Sequence, residues 1–426
     1  MKVAVLGLWH LGSVTAACCA KHFTVVGLDF DQAAITGLQA GQAPIAEPGL
    51  NEAIQAGIAA GRLSFTTDIK TACATADVLW VTYDTPVDED DRADVDFVLN
   101  QLRRCVPALP QGTLILLSSQ LPAGTCRQLE NEFGGQGYRF AVSPENLRLG
   151  KALEIFSKPD RVIVGYRDQR SKEQLTAMFA PFTSEIIWMR PESAEMTKHA
   201  INSFLALSIT FMNELSCLCE RTGADAKEVE RGLKSESRIG PKAYLSPGGA
   251  FAGGTLARDV VTCIALAEKI GEPLDVFPAI KRSNDRHRQW ALRKIKQLFA
   301  QPPLEPIALL GLTYKPGTDT LRRSSAVELA KALHHGGFKV AAHDPSLAAL
   351  PPELGFITLL REPATLTRDA AALVVCTEWP AFRERSDWGA LVKGMHAPIV
   401  IDATRFLAKP LGGINPLKYL TVGSPA

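Results

Sequence analysis

Residues 2–12 read KVAVLGLWHLG, and this stretch decides the fold. Its first half is a short apolar run of the kind found in strands buried on both faces of a parallel sheet. The turn GLWHLG (7–12) leads into a helical pattern, VTAACCAKH (14–22), and then a second apolar run, FTVVGLDFD (23–31), ends in acids. Strand, glycine turn, helix, strand, acid is the first βαβ unit of a dinucleotide-binding domain. In that design a pyrophosphate lies over the helix N-terminus, where unpaired N–H groups and the helix dipole favour an anion. Gly7, Leu11 and Gly12 are therefore candidate cofactor-binding residues, and Asp29 is placed for the ribose hydroxyls. A carboxylate there repels a 2′-phosphate, so NAD rather than NADP is the expected cofactor. Trp9 stands where the fingerprint usually has its second glycine; its side chain must point away, or the loop must shift.

Outward from this unit, apolar runs recur at 77–86, 113–119, 138–145 and 161–166, separated by helical patterns. That alternation predicts a doubly wound parallel sheet. Ligands of such sheets bind beyond the strand C-termini, where Thr85-Pro86, Ser119 to Pro122 and Pro144-Glu145 fall. From Pro191 to about Glu220, apolar residues keep helical spacing over an unusual length, and Gly223 follows as a stop. Lys198 and Asn202 lie one turn apart on that helix and share a face. Near Pro306 the strand-turn-helix logic returns in IALLGLTYKPGTD, with further strands at 338–345, 372–379 and 398–405. No sequence repeat marks this as a duplication. The expected organisation is an N-terminal Rossmann-like domain (1–190), a central long-helix region (191–295) and a smaller C-terminal α/β domain (296–426).

Composition narrows the function classes. A chain of 426 residues exceeds one ordinary core, and 46% hydrophobic with 21% charged residues is a globular balance. The formal net charge of +1 gives no bulk electrostatic case for nucleic acid or a membrane surface. No run of eighteen consecutive apolar residues occurs, so no membrane span is expected. The nine cysteines form no CxxC pair, so neither a metal site nor a disulfide framework is expected. Reduced thiols in a cytoplasmic protein are the natural reading.

The glycine-rich stretch RIGPKAYLSPGGAFAGGTLARD (238–259) is the other organising feature. A glycine cluster alone is often a connector. Its setting suggests more. PIAEPGL (44–50), SPENLRLGKA (143–152), AEMTKHAINSFLA (194–206), RIGPK (238–242) and GLTYKPGTDTLRRS (311–324) occur in an order and spacing that resemble the UDP-glucose/GDP-mannose dehydrogenase family. The resemblance covers nearly the whole chain. It implies a cytoplasmic enzyme, a homodimer or higher homo-oligomer, that oxidises the primary alcohol of a nucleotide sugar to a carboxylate with two NAD. A cysteine thiolate captures the intermediate aldehyde, because an aldehyde becomes a good hydride donor only once it is tetrahedral.

By the same resemblance, Glu145 positions water or acts as base, Lys198 stabilises oxyanion charge, Asn202 lies near the reacting carbon and Asp259 partners lysine and water. Thr85, Ser119 and Arg322 lie on the cofactor side, and Arg238, Gly253 and Lys315 serve the substrate. The nucleophile is missing: AFAGGTLARD (250–259) puts Thr255 where the family has cysteine, and Cys263, the nearest thiol, lies eight residues on in a helical pattern expected to open at Asp259. Leu149 replaces a family glutamate and Asn146 an aromatic residue. A threonine hydroxyl is a poor nucleophile beside a tuned thiol. The leading expectation is one two-electron step on a UDP- or GDP-sugar. Full four-electron oxidation through an aldehyde hydrate and a silent nucleotide-sugar binder stand as alternatives.

Overall fold

The computed structural model describes residues 1–88, 90–145, 147–252 and 254–425. Asn146 and Gly253, both singled out in the sequence, lie outside the described residues. The chain divides into two compact units, Met1–Asn202 with Val261–Glu272 and Ser203–Val260 with Pro273–Ala426.

The first unit holds an eight-stranded sheet: β1 Lys2–Leu6, β2 Thr24–Leu28, β3 Leu63–Thr66, β4 Val78–Val81, β5 Leu114–Leu117, β6 Arg139–Val142, β7 Val162–Gly165 and β8 Ile186–Met189. Their order is β3-β2-β1-β4-β5-β6-β7-β8. β1 shows why the opening stretch reads as it does. Val3 and Val5 enter one apolar cluster and Ala4 and Leu6 another, so both faces are covered and no polar alternation survives. One expectation is corrected. The run at 161–166 does not extend the parallel sheet: β7 runs antiparallel to β6, with Val142 opposite Gly165, and β8 runs parallel to β7. Periodicity reports that a strand is buried, and it carries no information on direction. Gly165 is also needed for packing, since a Cβ there would lie 2.5 Å from the Pro191 backbone.

The second unit holds a six-stranded parallel sheet: β9 Ile307–Leu310, β10 Val340–His343, β11 Ile357–Leu359, β12 Ala372–Val375, β13 Ile399–Asp402 and β14 Lys418–Leu420. The order β11-β10-β9-β12-β13-β14 repeats that of the first six strands of the other sheet. Four strands escaped the sequence reading: β3, β8, β11 and β14. All four are edge strands of their sheets. An edge strand is covered less completely, and β8, β11 and β14 accordingly carry few buried positions.

The long helix spans Pro191–Thr222, 32 residues, or about 48 Å at 1.5 Å per residue. Proline at its first position needs no N–H partner, and Gly223, at φ +81°, ends it in the left-handed conformation. By length and composition it is apolar enough to cross a membrane. Its first half nevertheless carries Glu195, Lys198, His199 and Asn202, all buried against protein, the character of a core helix in a folded domain.

Candidate active site

The glycine turn is built as the sequence required. Gly7 sits at φ +93°, and a Cβ on it would come within 2.8 Å of the Tyr83 ring and backbone. A Cβ on Gly12 would lie 1.7 Å from the Gly7 carbonyl oxygen. Helix His10–Cys19 begins directly after Trp9, whose side chain points into solvent, 51% exposed. Leu11 is buried in the first turn. Asp29 has a structural task as well: its carboxylate accepts the N–H of Leu8 at 2.7 Å, Phe30 at 2.7 Å and Asp31 at 3.1 Å. The acid thereby ties the end of β2 to the turn after β1.

The second sheet repeats the device. Gly311 lies at φ +90°, with no room for a Cβ beside Thr377. Asp344, at the end of β10, accepts the N–H of Leu312 at 2.8 Å and Thr313 at 3.0 Å. Burial opposes its charge, yet these N–H bonds hold its carboxyl below the usual carboxylate range. The hydroxyls of Ser13 and Ser324 close the two turns identically, each donating at 2.6 Å to the carbonyl one residue past the glycine, Leu8 and Leu312. Sequence identity did not expose this duplication, because a turn constrains only a few residues.

Beyond the strand ends of the first sheet, Thr85 Oγ1 donates to the Gln120 carbonyl at 2.7 Å, so the loops after β4 and β5 are joined. Ser119 is buried, and its Oγ has no hydrogen-bond partner among the described residues. An orphaned buried hydroxyl is costly unless a ligand meets it. With the crowded glycine turn, it is the feature that fits a bound dinucleotide.

Glu145 and Lys198 are brought together. Lys198 Nζ donates to the Glu145 carbonyl oxygen at 2.7 Å and lies 3.9 Å from its carboxylate Oε1, while the carboxylate accepts the Leu147 N–H. Lys198 is 8% exposed, so the ammonium acts in a medium of reduced dielectric, where its field is strong. Asn202 lies buried one turn further along the helix. Leu149 is exposed.

The second helix of interest corrects a boundary. It runs Thr255–Ile270, opening four residues before Asp259. Gly254, at φ +102°, turns the chain into it, and Leu256, Ala257 and Arg258 are good helix formers that propagate it at once. Thr255 is thus the first helical residue, exposed, with Asp259 one turn on and fully buried. Cys263 is buried two turns along the same helix. Arg258 is also buried, its Nε 4.0 Å from Asp259 Oδ1. Arg238 is exposed and paired with Glu236 at 2.9 Å. Arg322 is exposed, and Lys315 half-buried in the turn after β9.

The sequence reading missed the residues that hold these loops. Asn284 accepts the Phe251 N–H at 3.0 Å and donates to its carbonyl at 2.9 Å. Asn213 accepts from Gly248 N–H and donates to Gly249 O. His287 Nε2 lies 2.8 Å from Gly248 O, so that nitrogen carries the proton. Three side chains therefore fix the glycine-rich loop from outside it. In the first unit, Glu195 and His199 hold the loop after β5 in the same manner. Their i, i+4 spacing was the available signal, but it marks a shared face and names no partner. No cluster of metal-ligating side chains occurs among the described residues.

The turn, the acid at β2 and the largely parallel sheet define a dinucleotide-binding protein with two Rossmann-like sheets and a long helix in the middle region of its chain. The chain belongs to the UDP-glucose/GDP-mannose dehydrogenase family: that family's NAD binding domain matches residues 1–183, its central domain 192–286 and its UDP binding domain 308–409. It is accordingly an NAD-dependent oxidoreductase of the nucleotide-sugar dehydrogenase class, acting on CH–OH. It is 33% identical over 438 residues to the UDP-glucose 6-dehydrogenase of Rhizobium meliloti, covering 100% of each chain. It is 34% identical over 445 residues to that of Pseudomonas aeruginosa, covering 100% of this chain and 98% of the relative. Among solved structures, a UDP-glucose dehydrogenase from Pyrobaculum islandicum superposes with a TM-score of 0.84 at 29% identity, over 99% of this chain and 98% of that one.

Proposed function

We propose that this enzyme performs a single two-electron oxidation of a UDP- or GDP-sugar, and that it does so because Thr255 occupies the nucleophile's position. The observation that carries the reading is the placement of Thr255 as the first residue of its helix, exposed, with no thiol nearer along that helix than buried Cys263. A hydroxyl there stays protonated at neutral pH and does not capture an aldehyde.

Gly7, Leu11, Gly12, Asp29, Thr85, Ser119 and Arg322 hold NAD in this reading, which accepts a hydride when bound. Arg238, Gly253 and Lys315 take the nucleotide sugar, and Asn202 orients its reacting carbon. Lys198 stabilises the charge that develops on the alcohol oxygen as its proton departs. Glu145 or Asp259 receives that proton, directly or through water. Geometry supports Glu145 in this role, since its carboxylate lies 3.9 Å from the Lys198 ammonium and is partly open to solvent.

The test is a panel of UDP- and GDP-sugars with NAD, following NADH yield and product mass. One NADH per sugar with a carbonyl product is expected. Two NADH with a carboxylate product would establish four-electron oxidation through the hydrate instead. Binding without turnover across the panel would leave a silent nucleotide-sugar binder.

A further inference from the structure

We propose that Glu195 and His199 are positioning residues, which bolt the loop carrying Ser119 to the helix carrying Lys198 and so set the spacing between cofactor and reacting oxygen. The proposal rests on the roles given above to Ser119 and Lys198. Its geometry lies wholly within the first unit. Glu195 is 4% exposed, and its two carboxylate oxygens separately accept the N–H of Gly124 at 2.7 Å and of Cys126 at 2.8 Å. These are free N–H groups at the start of helix Thr125–Phe133. His199, one turn on and 3% exposed, presents Nε2 to the Leu121 carbonyl at 3.0 Å. A carbonyl only accepts, so Nε2 carries the proton. With Thr85 donating to Gln120, the loop is fixed from outside at Gln120, Leu121, Gly124 and Cys126, directly after Ser119. Lys198 lies between the two clamping residues in sequence and reaches the Glu145 carbonyl. Releasing the clamp therefore moves the Ser119 hydroxyl relative to the Lys198 ammonium.

The clamp also carries a titration. Around Glu195 stand Glu192 and His199 on its own helix and Cys126 on helix Thr125–Phe133; Arg127 and Arg167 pair with Glu192, and Glu130 with Arg167. Burial, and then the Glu192 charge, push the Glu195 carboxyl up to about 7, against the pull of the Cys126 and Gly124 N–H bonds. Protonation gives up part of its capacity to accept from both N–H groups. The two N–H bonds to the cofactor loop are then weaker below neutrality than above it, even though burial makes the protonated carboxyl the less costly form to keep in the fold.

Glu195→Gln offers one carbonyl oxygen and one NH2 to two N–H donors, so one bond is lost with little change in shape. Hydrogen exchange of the 120–126 amides is expected to quicken. NAD affinity by calorimetry should fall about tenfold, the factor that loss of a charge-assisted hydrogen bond brings, and its dependence on pH near 7 should disappear. His199→Gln, which keeps a donor for Leu121, should stay close to wild type, whereas His199→Phe should reproduce the loss. Faster exchange with unchanged NAD affinity and pH profile would overturn the proposal, as would unaltered exchange. Calorimetry needs no turnover: a wild-type protein that binds NAD but oxidises no nucleotide sugar refutes the proposed reaction and leaves this test intact.

Discussion

At the scale of single residues, the proposed reaction turns on position 255. If Thr255 alone stops the enzyme after one oxidation, Thr255→Cys should raise the yield from one NADH per sugar toward two, with a carboxylate product by mass spectrometry. A thiol at a helix N-terminus is well placed to ionise, because the dipole favours a thiolate there. An unchanged product would show that the reacting carbon also differs. Lys198→Met should lower kcat by about 10²–10³-fold, the usual cost of removing one preorganised donor to a developing oxyanion. NAD affinity should change little, since Lys198 holds Glu145, in the loop after β6. Glycine is required at position 12 by contact: the 1.7 Å approach to the Gly7 oxygen leaves no place for a methyl group.

At the scale of elements, the glycine-rich loop is conformationally permissive in sequence and constrained in the fold. Asn284 satisfies both backbone groups of Phe251, and its loss leaves two polar groups unpaired, each at about 1–3 kcal/mol where buried. Asn284→Ala should therefore raise KM for the sugar more than it lowers kcat, measured by steady-state kinetics. His287 adds a pH dependence. Burial holds its imidazole below the usual histidine range, so the fold favours the neutral ring. The unfolded chain then binds more protons, and stability falls as pH drops through the unfolded value, about 6.5. Thermal unfolding from pH 7.5 to 5 should show that decline, shallower in His287→Gln. Glu195 acts with the opposite sign: its raised carboxyl contributes stability that is full at low pH and lost as pH rises through about 7. Glu195→Gln should remove that contribution, so the two variants separate by the direction in which they change the profile.

At the scale of the whole molecule, the long helix leaves Phe204, Leu207, Phe211 and Leu218 exposed at helical spacing, with Phe204 at 68%. An apolar stripe of that size fits the homodimer that the family resemblance implies. Phe211→Glu should yield a smaller species by light scattering, and unchanged mass would place any interface elsewhere. The sequence by itself determined the class of fold, the long helix, the glycine turn with its acid, the cofactor and the family. Each is written in local pattern, because a strand covered on both faces must be apolar and a left-handed turn requires glycine. Tertiary structure alone decided the direction of β7, the four edge strands, the start of the Thr255 helix and the duplicated turn of the second sheet. It also decided which buried polar side chains hold the loops. Glu195, His199, Asn213, Asn284 and His287 are ordinary helix residues in sequence. Their roles follow from backbone N–H and carbonyl groups far away in the chain, whose need for partners arises only when folding removes them from water.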